Sequence, residues 1–128
     1  MNDRWWFRVH SKEKMLEFAL LGFWSVDDAA KWKVSFMSQA DEISLNGTRG
    51  FRLLVDMSGY PPQRKEVGEC HQECMAYAMK CGLTNAAHIV KDVITKMQME
   101  HLSRGVDTVA FGHFLTRDEA QKWLDAKR

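Results

Sequence analysis

The chain has 128 residues, a formal net charge of +1 and three cysteines, which is enough for one domain with a two- or three-layer core. Its evenly mixed charges lack the basic footprint of a protein that binds nucleic acid or an anionic membrane. No run approaches the roughly 20 apolar residues of a spanning helix, and the start, MNDRWWFRVH, lacks a signal-like apolar segment, so the chain reads as soluble, unexported and cytoplasmic.

Trp5–His10 and Lys14–Trp24 read as two strands joined by the polar turn Ser11-Lys12-Glu13, an antiparallel hairpin. Polarity in Met15–Leu20 only partly alternates, which predicts one buried face and one mixed face. Trp5, Trp6 and the run Phe18–Trp24 make an apolar edge. It reads as the inner face of a sheet, with a dimer surface, a lipid-facing patch or a pocket wall as functional alternatives.

Ser25-Val26-Asp27-Asp28 opens a helix, with Ser25 as cap and the acidic pair complementing the helix N-terminus. Ala29, Trp32, Phe36, Ala40 and Ile43 recur at helical spacing and give it a broad apolar face. The helix ends near Leu45, before the turn pair Asn46-Gly47.

The next stretch, FRLLVDMSGY from Phe51 to Tyr60, organises the chain. Leu53, Leu54 and Val55 form a short apolar run bounded by glycines, as expected of a central strand buried on both faces. Asp56 and Ser58 then fall at the carboxyl end of that strand, where open α/β sheets gather their ligand sites. The plainer reading is that these two side chains bond the turn backbone.

Pro61-Pro62 break the chain ahead of a helix from about Gln63 to Cys81, stopped by Gly82. Cys70, Cys74, Tyr77, Ala78 and Cys81 share one stripe of it. Ligands drawn from one helix face cannot close a tetrahedral metal site, so the stripe reads as core thiols. Ala86–Val90 is a fourth strand. Lys91–Ser103 is a helix with Val93, Ile94, Met97 and Leu102 inward, ended by Arg104-Gly105. Its Met97 and Met99 read as core filling, with an adaptable binding surface as the alternative. Asp107–Phe111 is a fifth strand, and Thr116-Arg117-Asp118-Glu119 is a capping box for a last helix with Ala120, Trp123 and Leu124 inward.

The expected order is β-β-α-β-α-β-α-β-α in one domain. It is an α/β fold with a mixed, mostly parallel five-stranded sheet, an N-terminal antiparallel hairpin and four helices. FRLLVDMSGY, the helix HQECMAYAMKCGL leading to AAHIV, the helix KDVITKMQMEHL and the closing VAFGHFLTRDEAQKWL, taken in this order, resemble the SpoIIAA-like, or STAS-like, family from Phe7 to Leu124. The resemblance implies a small non-enzymatic regulatory or interaction domain, often paired with itself or with a partner protein. In the anti-sigma-factor antagonists of the wider superfamily the turn after the third strand carries a phosphorylated serine at a helix start. The equivalent segment here, Pro61 to Glu66, has no Ser or Thr, so that switch does not carry over.

Three function classes follow. The first is an interaction module whose contact surface is the carboxyl edge, with Asp56, Ser58, Tyr60, Arg64, Lys65, Lys91 and His113 as its residues and a partner protein or a second copy as its partner. The second is a binder of a small apolar molecule or lipid through the aromatic hairpin and third helix. The third is an enzyme or phospho-receiver built on Asp56, with Ser58, Lys91 and His113 converging beyond the strand ends. A receiver would also need an acidic pair after the first strand to hold Mg²⁺, and none stands there. His10, His71, His88, His101 and His113 have no metal-ligand spacing and read as surface or satisfied core residues. The expectation is an interaction module with no catalytic residues, cofactor, metal or nucleic-acid partner.

Overall fold

A computed structural model describes residues 3–45, 50–102 and 109–127. In chain order the elements are β1 (Trp5–His10), β2 (Met15–Leu20), α1 (Val26–Leu45), β3 (Phe51–Asp56), α2 (Lys65–Lys80), β4 (Leu83–Ile89), α3 (Val93–Leu102), β5 (Ala110–Phe114) and α4 (Arg117–Ala126). The strands lie in the order β1-β2-β3-β4-β5. Only the first pair is antiparallel, and each later pair is parallel. This is the expected α/β sheet with its hairpin and crossovers. The predicted turn Asn46-Gly47, the stop Arg104-Gly105 and the predicted strand start at Asp107 lie outside the described residues.

Side-chain alternation sorts the sheet into two faces. Leu16, Phe18, Leu53, Val55 and Ala86 point to one face, where they pack with Trp32, Phe36, Val67 and Ala78 of α1 and α2. Met15, Leu54, Ala87 and Ile89 point to the other, against Ala120 and Leu124 of α4. The starts of α1 and α4 follow from local chemistry. Ser25 and Asp28 cap α1 reciprocally, the Asp28 N–H donating to Ser25 Oγ at 3.0 Å and the Ser25 N–H to Asp28 Oδ2 at 2.9 Å. At α4 the Glu119 N–H donates to Thr116 Oγ1 at 3.2 Å, as the capping box predicts. We expect Thr116→Ala to cost about 1 kcal/mol, lowering the melting temperature by about 4 °C; an unchanged melting curve would remove the cap from the account.

Three expectations need correction. All six residues of β2 are buried, Glu17 included, rather than only one face. The reason is position: β2 pairs with both β1 and β3, and helices cover both sides. Second, α3 turns Val93, Ile94 and Met97 outward, at 57%, 70% and 63% exposure, instead of inward. The helix is short and lies beside the edge strand β5, which offers little surface to cover. Its half-buried positions are Thr95, Lys96 and Met99; the side chain of Leu102 lies outside the described residues. Third, β5 runs Ala110–Phe114, which places His113 inside the strand rather than beyond its end.

Candidate functional site

Of the residues expected at the carboxyl edge, Asp56 and Ser58 meet, whereas His113 lies apart from them. Asp56 Oδ1 accepts from the Ser58 N–H at 2.9 Å and from the Ser58 hydroxyl at 2.6 Å, a local turn that occupies both groups. Tyr60 leaves the edge for the interior, where its hydroxyl shares a 2.6 Å hydrogen bond with His71 Nε2 and its ring packs on Trp24. Arg64 precedes α2 and lays its guanidinium 5.2 Å from the centre of the Phe23 ring. Lys65 is exposed, 4.0 Å from Glu69, and Lys91 is exposed just past β4. His113 is only 5% exposed. It pairs with His88, which pairs with Val55, whereas Asp56 pairs with Ile89. Asp56 and His113 therefore point to opposite faces, and the Asp56 turn is two strands, about 10 Å, away from β5. His113 is therefore not brought to the Asp56–Ser58 turn.

What the fold does assemble lies on the face covered by α1 to α3. One row crosses the whole sheet in register: Phe7, Phe18, Val55, His88 and His113. Beside this row is a cavity of about 200 Å³. Phe18, Leu20, Val55 and His88 form its floor, and Met57 lies at the floor's carboxyl end. Trp32 and Phe36 of α1, His71, Cys74 and Met75 of α2, and Met99 of α3 make its walls and roof. The aromatic hairpin, the α2 cysteine stripe and a methionine of α3 thus meet at one place, although each reads alone as core.

The cavity is uncharged near neutral pH. Burial pushes the His71 imidazole down to about 4. Burial first, and then the neighbouring His113, push His88 down to about 3. Burial, followed by the adjacent Cys70, pushes the Cys74 thiol up to about 12, which makes it an apolar wall rather than a nucleophile. Two polar atoms of the lining residues, Trp32 Nε1 and His88 Nδ1, are buried with no hydrogen-bond partner among the described residues. The expectation for His88 is a surface or satisfied core residue; it is buried, with Nδ1 lacking a partner among the described residues. The signal available in the sequence was a polar residue inside AAHIV, a run short and apolar enough to be buried on both faces.

A second cavity, about 290 Å³ at the amino edge, is lined by Lys12, Lys14, Arg52 and Asn85 among others. Arg52 is engaged there in holding elements together, donating to the carbonyls of Leu124 at 2.7 Å and Glu13 at 2.9 Å. Gln63, which no motif singles out, performs the same service at the carboxyl edge. Its Oε1 accepts from the Trp24 N–H at 2.8 Å and its Nε2 donates to the Gly22 carbonyl at 2.9 Å, fixing the β2–α1 loop to the approach to α2.

No protein-family model matches the chain, and no curated protein does. Among solved structures it is similar to an uncharacterised protein of the DUF3478 family with a SpoIIAA-like fold from Shewanella loihica PV-4, at 16% sequence identity and a TM-score of 0.65. The match covers 86% of this chain and 83% of that one. At that identity the likeness is one of fold. Among the described residues no helix is long and apolar enough to cross a membrane.

Proposed function

From the SpoIIAA-like fold of this chain, we propose a non-enzymatic binding domain that takes one small, uncharged, mainly apolar molecule into the cavity beside Trp32 and His88. The single observation that carries this reading is the cavity itself. Protein interiors pack to near-crystalline density, and voids well above the size of a water are few. A mainly apolar pocket of about 200 Å³ lets an apolar molecule of matching shape gain dispersion contacts with Trp32, Phe36 and the methionines around it. Its size follows from the same volume, since engineered cavities of about 150 Å³ take up benzene; about ten non-hydrogen atoms fit, and a two-chain lipid does not.

The test is titration of the purified protein with naphthalene, followed by tryptophan fluorescence because Trp32 lines the site. We expect saturable binding, and a loss of about tenfold in Cys74→Leu, whose larger side chain enters the cavity. Non-saturable binding, or equal affinity in the variant, would reject the reading.

A second reading, self-association through the carboxyl edge, is favoured by Phe23, which is 49% exposed and stacked under Arg64. Aromatic and arginine anchors of this kind are typical of interface centres. Light scattering decides: a dimer that Arg64→Glu converts to monomer supports it, and a wild-type monomer at every concentration removes it.

A further inference from the structure

One edge of the sheet is open for pairing. β1 lies at the end of the strand order and pairs with β2 alone. The Leu21 N–H donates to the Arg4 carbonyl at 2.9 Å, so Arg4 and Leu21 form a hydrogen-bonded pair. The alternation of an antiparallel ladder then turns the backbone groups of Trp6, Arg8 and His10 toward β2. Those of Trp5, Phe7 and Val9 point the other way, with no partner among the described residues. Proteins commonly blunt such an edge with proline, lysine or a bulge. β1 has neither proline nor lysine, and its six residues pair in unbroken register. Its exposed side chains include Trp6, at 39%, and Val9, at 45%.

A second copy of this chain is the occupant that these residues specify. Between two copies related by a two-fold axis, outward backbone groups must meet outward backbone groups, so near the middle of the strand the axis passes through residue 6, 7 or 8. An axis at Arg8 sets two guanidinium groups directly opposite each other, which is unfavourable. An axis at Trp6 leaves Val9 facing a residue outside the strand. An axis at Phe7 pairs all three outward residues: Trp5 with the second copy's Val9, Phe7 with Phe7, and Val9 with Trp5. The same register sets Arg8 opposite the second copy's Trp6. Within one chain the Arg8 guanidinium already lies 5.3 Å from the centre of the Trp6 ring, so cation and indole alternate across the axis in contacts of one kind. We propose that the chain forms a two-fold dimer through β1, with Phe7 on the axis and the two five-stranded sheets joined into one. This contact lies away from the carboxyl edge around Phe23, and it does not depend on what the cavity holds.

Sedimentation equilibrium on the wild type, Val9→Pro and Arg64→Glu tests it. Proline is tolerated on an edge strand where its missing N–H faces outward, so Val9→Pro spares the β1–β2 pairs and removes two hydrogen bonds across the axis. The wild type should be dimeric at about 100 μM, and Arg64→Glu should remain so. Val9→Pro, with a folded circular dichroism spectrum, should dimerise at least about tenfold more weakly. A monomeric wild type at that concentration would overturn the proposal. So would a dimer that folded Val9→Pro leaves intact; if Arg64→Glu dissolves that dimer, the contact is at the carboxyl edge instead. Should Val9→Pro not fold, cross-linking decides. Positions 6 and 8 of the two copies form a non-hydrogen-bonded pair, with Cβ atoms about 4.5 Å apart, within reach of a disulfide. The double variant Trp6→Cys with Arg8→Cys should therefore give a reducible dimer on oxidation, and Trp6→Cys alone should not. A folded double variant that stays uncross-linked refutes the proposal.

Discussion

Trp32→Ala is expected to remove about 3 to 5 kcal/mol of stability, the range for deleting a large buried aromatic, and so to consume much of the roughly 5 to 15 kcal/mol of a domain this size. The residue is 1% exposed. Its ring is the centre of an aromatic assembly: Phe7 stacks on it at 5.0 Å and an interplanar angle of 7°, Phe18 meets it at 5.0 Å, Phe36 at 5.5 Å and Trp24 at 5.6 Å. These partners come from β1, β2, the loop before α1 and α1 itself, so the loss is cooperative across the N-terminal half. A urea titration monitored by circular dichroism measures it; an unfolding free energy within about 0.5 kcal/mol of wild type, the size of an ordinary surface substitution, would show that the cluster is not the centre of the core. Trp32→Phe should cost much less, because it keeps a ring in the stack.

Arg117→Met is expected to cost about 2 kcal/mol at pH 7, the scale for a hydrogen bond to a buried charged group. Glu17 lies within β2 with its side chain 6% exposed, and Arg117 reaches it from α4, donating from Nε at 3.0 Å and from Nη2 at 3.1 Å. His10 Nε2 lies 2.8 Å from the same carboxylate. The figure is held below the 3 to 5 kcal/mol of a fully buried broken pair because the arginine side chain is 48% exposed and partly screened. Burial pushes the Glu17 carboxyl up, but the hydrogen bonds from Arg117 and His10 outweigh it and hold the group below its ordinary value of 4.5. A carboxyl depressed by folding contributes stability above its unfolded-state value and loses it as pH falls through the folded one. The difference between wild type and Arg117→Met should therefore be full above about pH 5 and shrink as the pH drops below 4.5. Urea titrations at a series of pH values check this; a difference constant from pH 7 to pH 3 would mean that the arginine acts through packing alone.

The element order was legible because its determinants are local. Periodicity marked Ala29, Trp32, Phe36, Ala40 and Ile43 as one helix face, and all five are buried. Ser25 and Thr116 announced helix starts through capping chemistry that needs only the next three residues. A short apolar run ending at Asp56 announced the central strand, and Phe51–Asp56 is that strand. Where the expectations failed, the missing information was the neighbour. Whether β2 has one covered face or two depends on α4, about a hundred residues later in the chain, and the inward side of α3 depends on its lying at an edge strand.

The site separates along the same line. Sequence alone determined the alternation that sends Asp56 and Val55 to opposite faces, the turn chemistry that occupies Ser58, and the apolar character of the hairpin and the α2 stripe. Only the tertiary structure decided that Phe18, Trp32, Cys74, His88 and Met99 share one cavity, because parallel pairing in register brings together side chains that no local rule relates. It also decided that His88, polar within an apolar strand, is buried on that face. Burial is a property of what surrounds a residue, and no local rule reports it before the chain has closed over it.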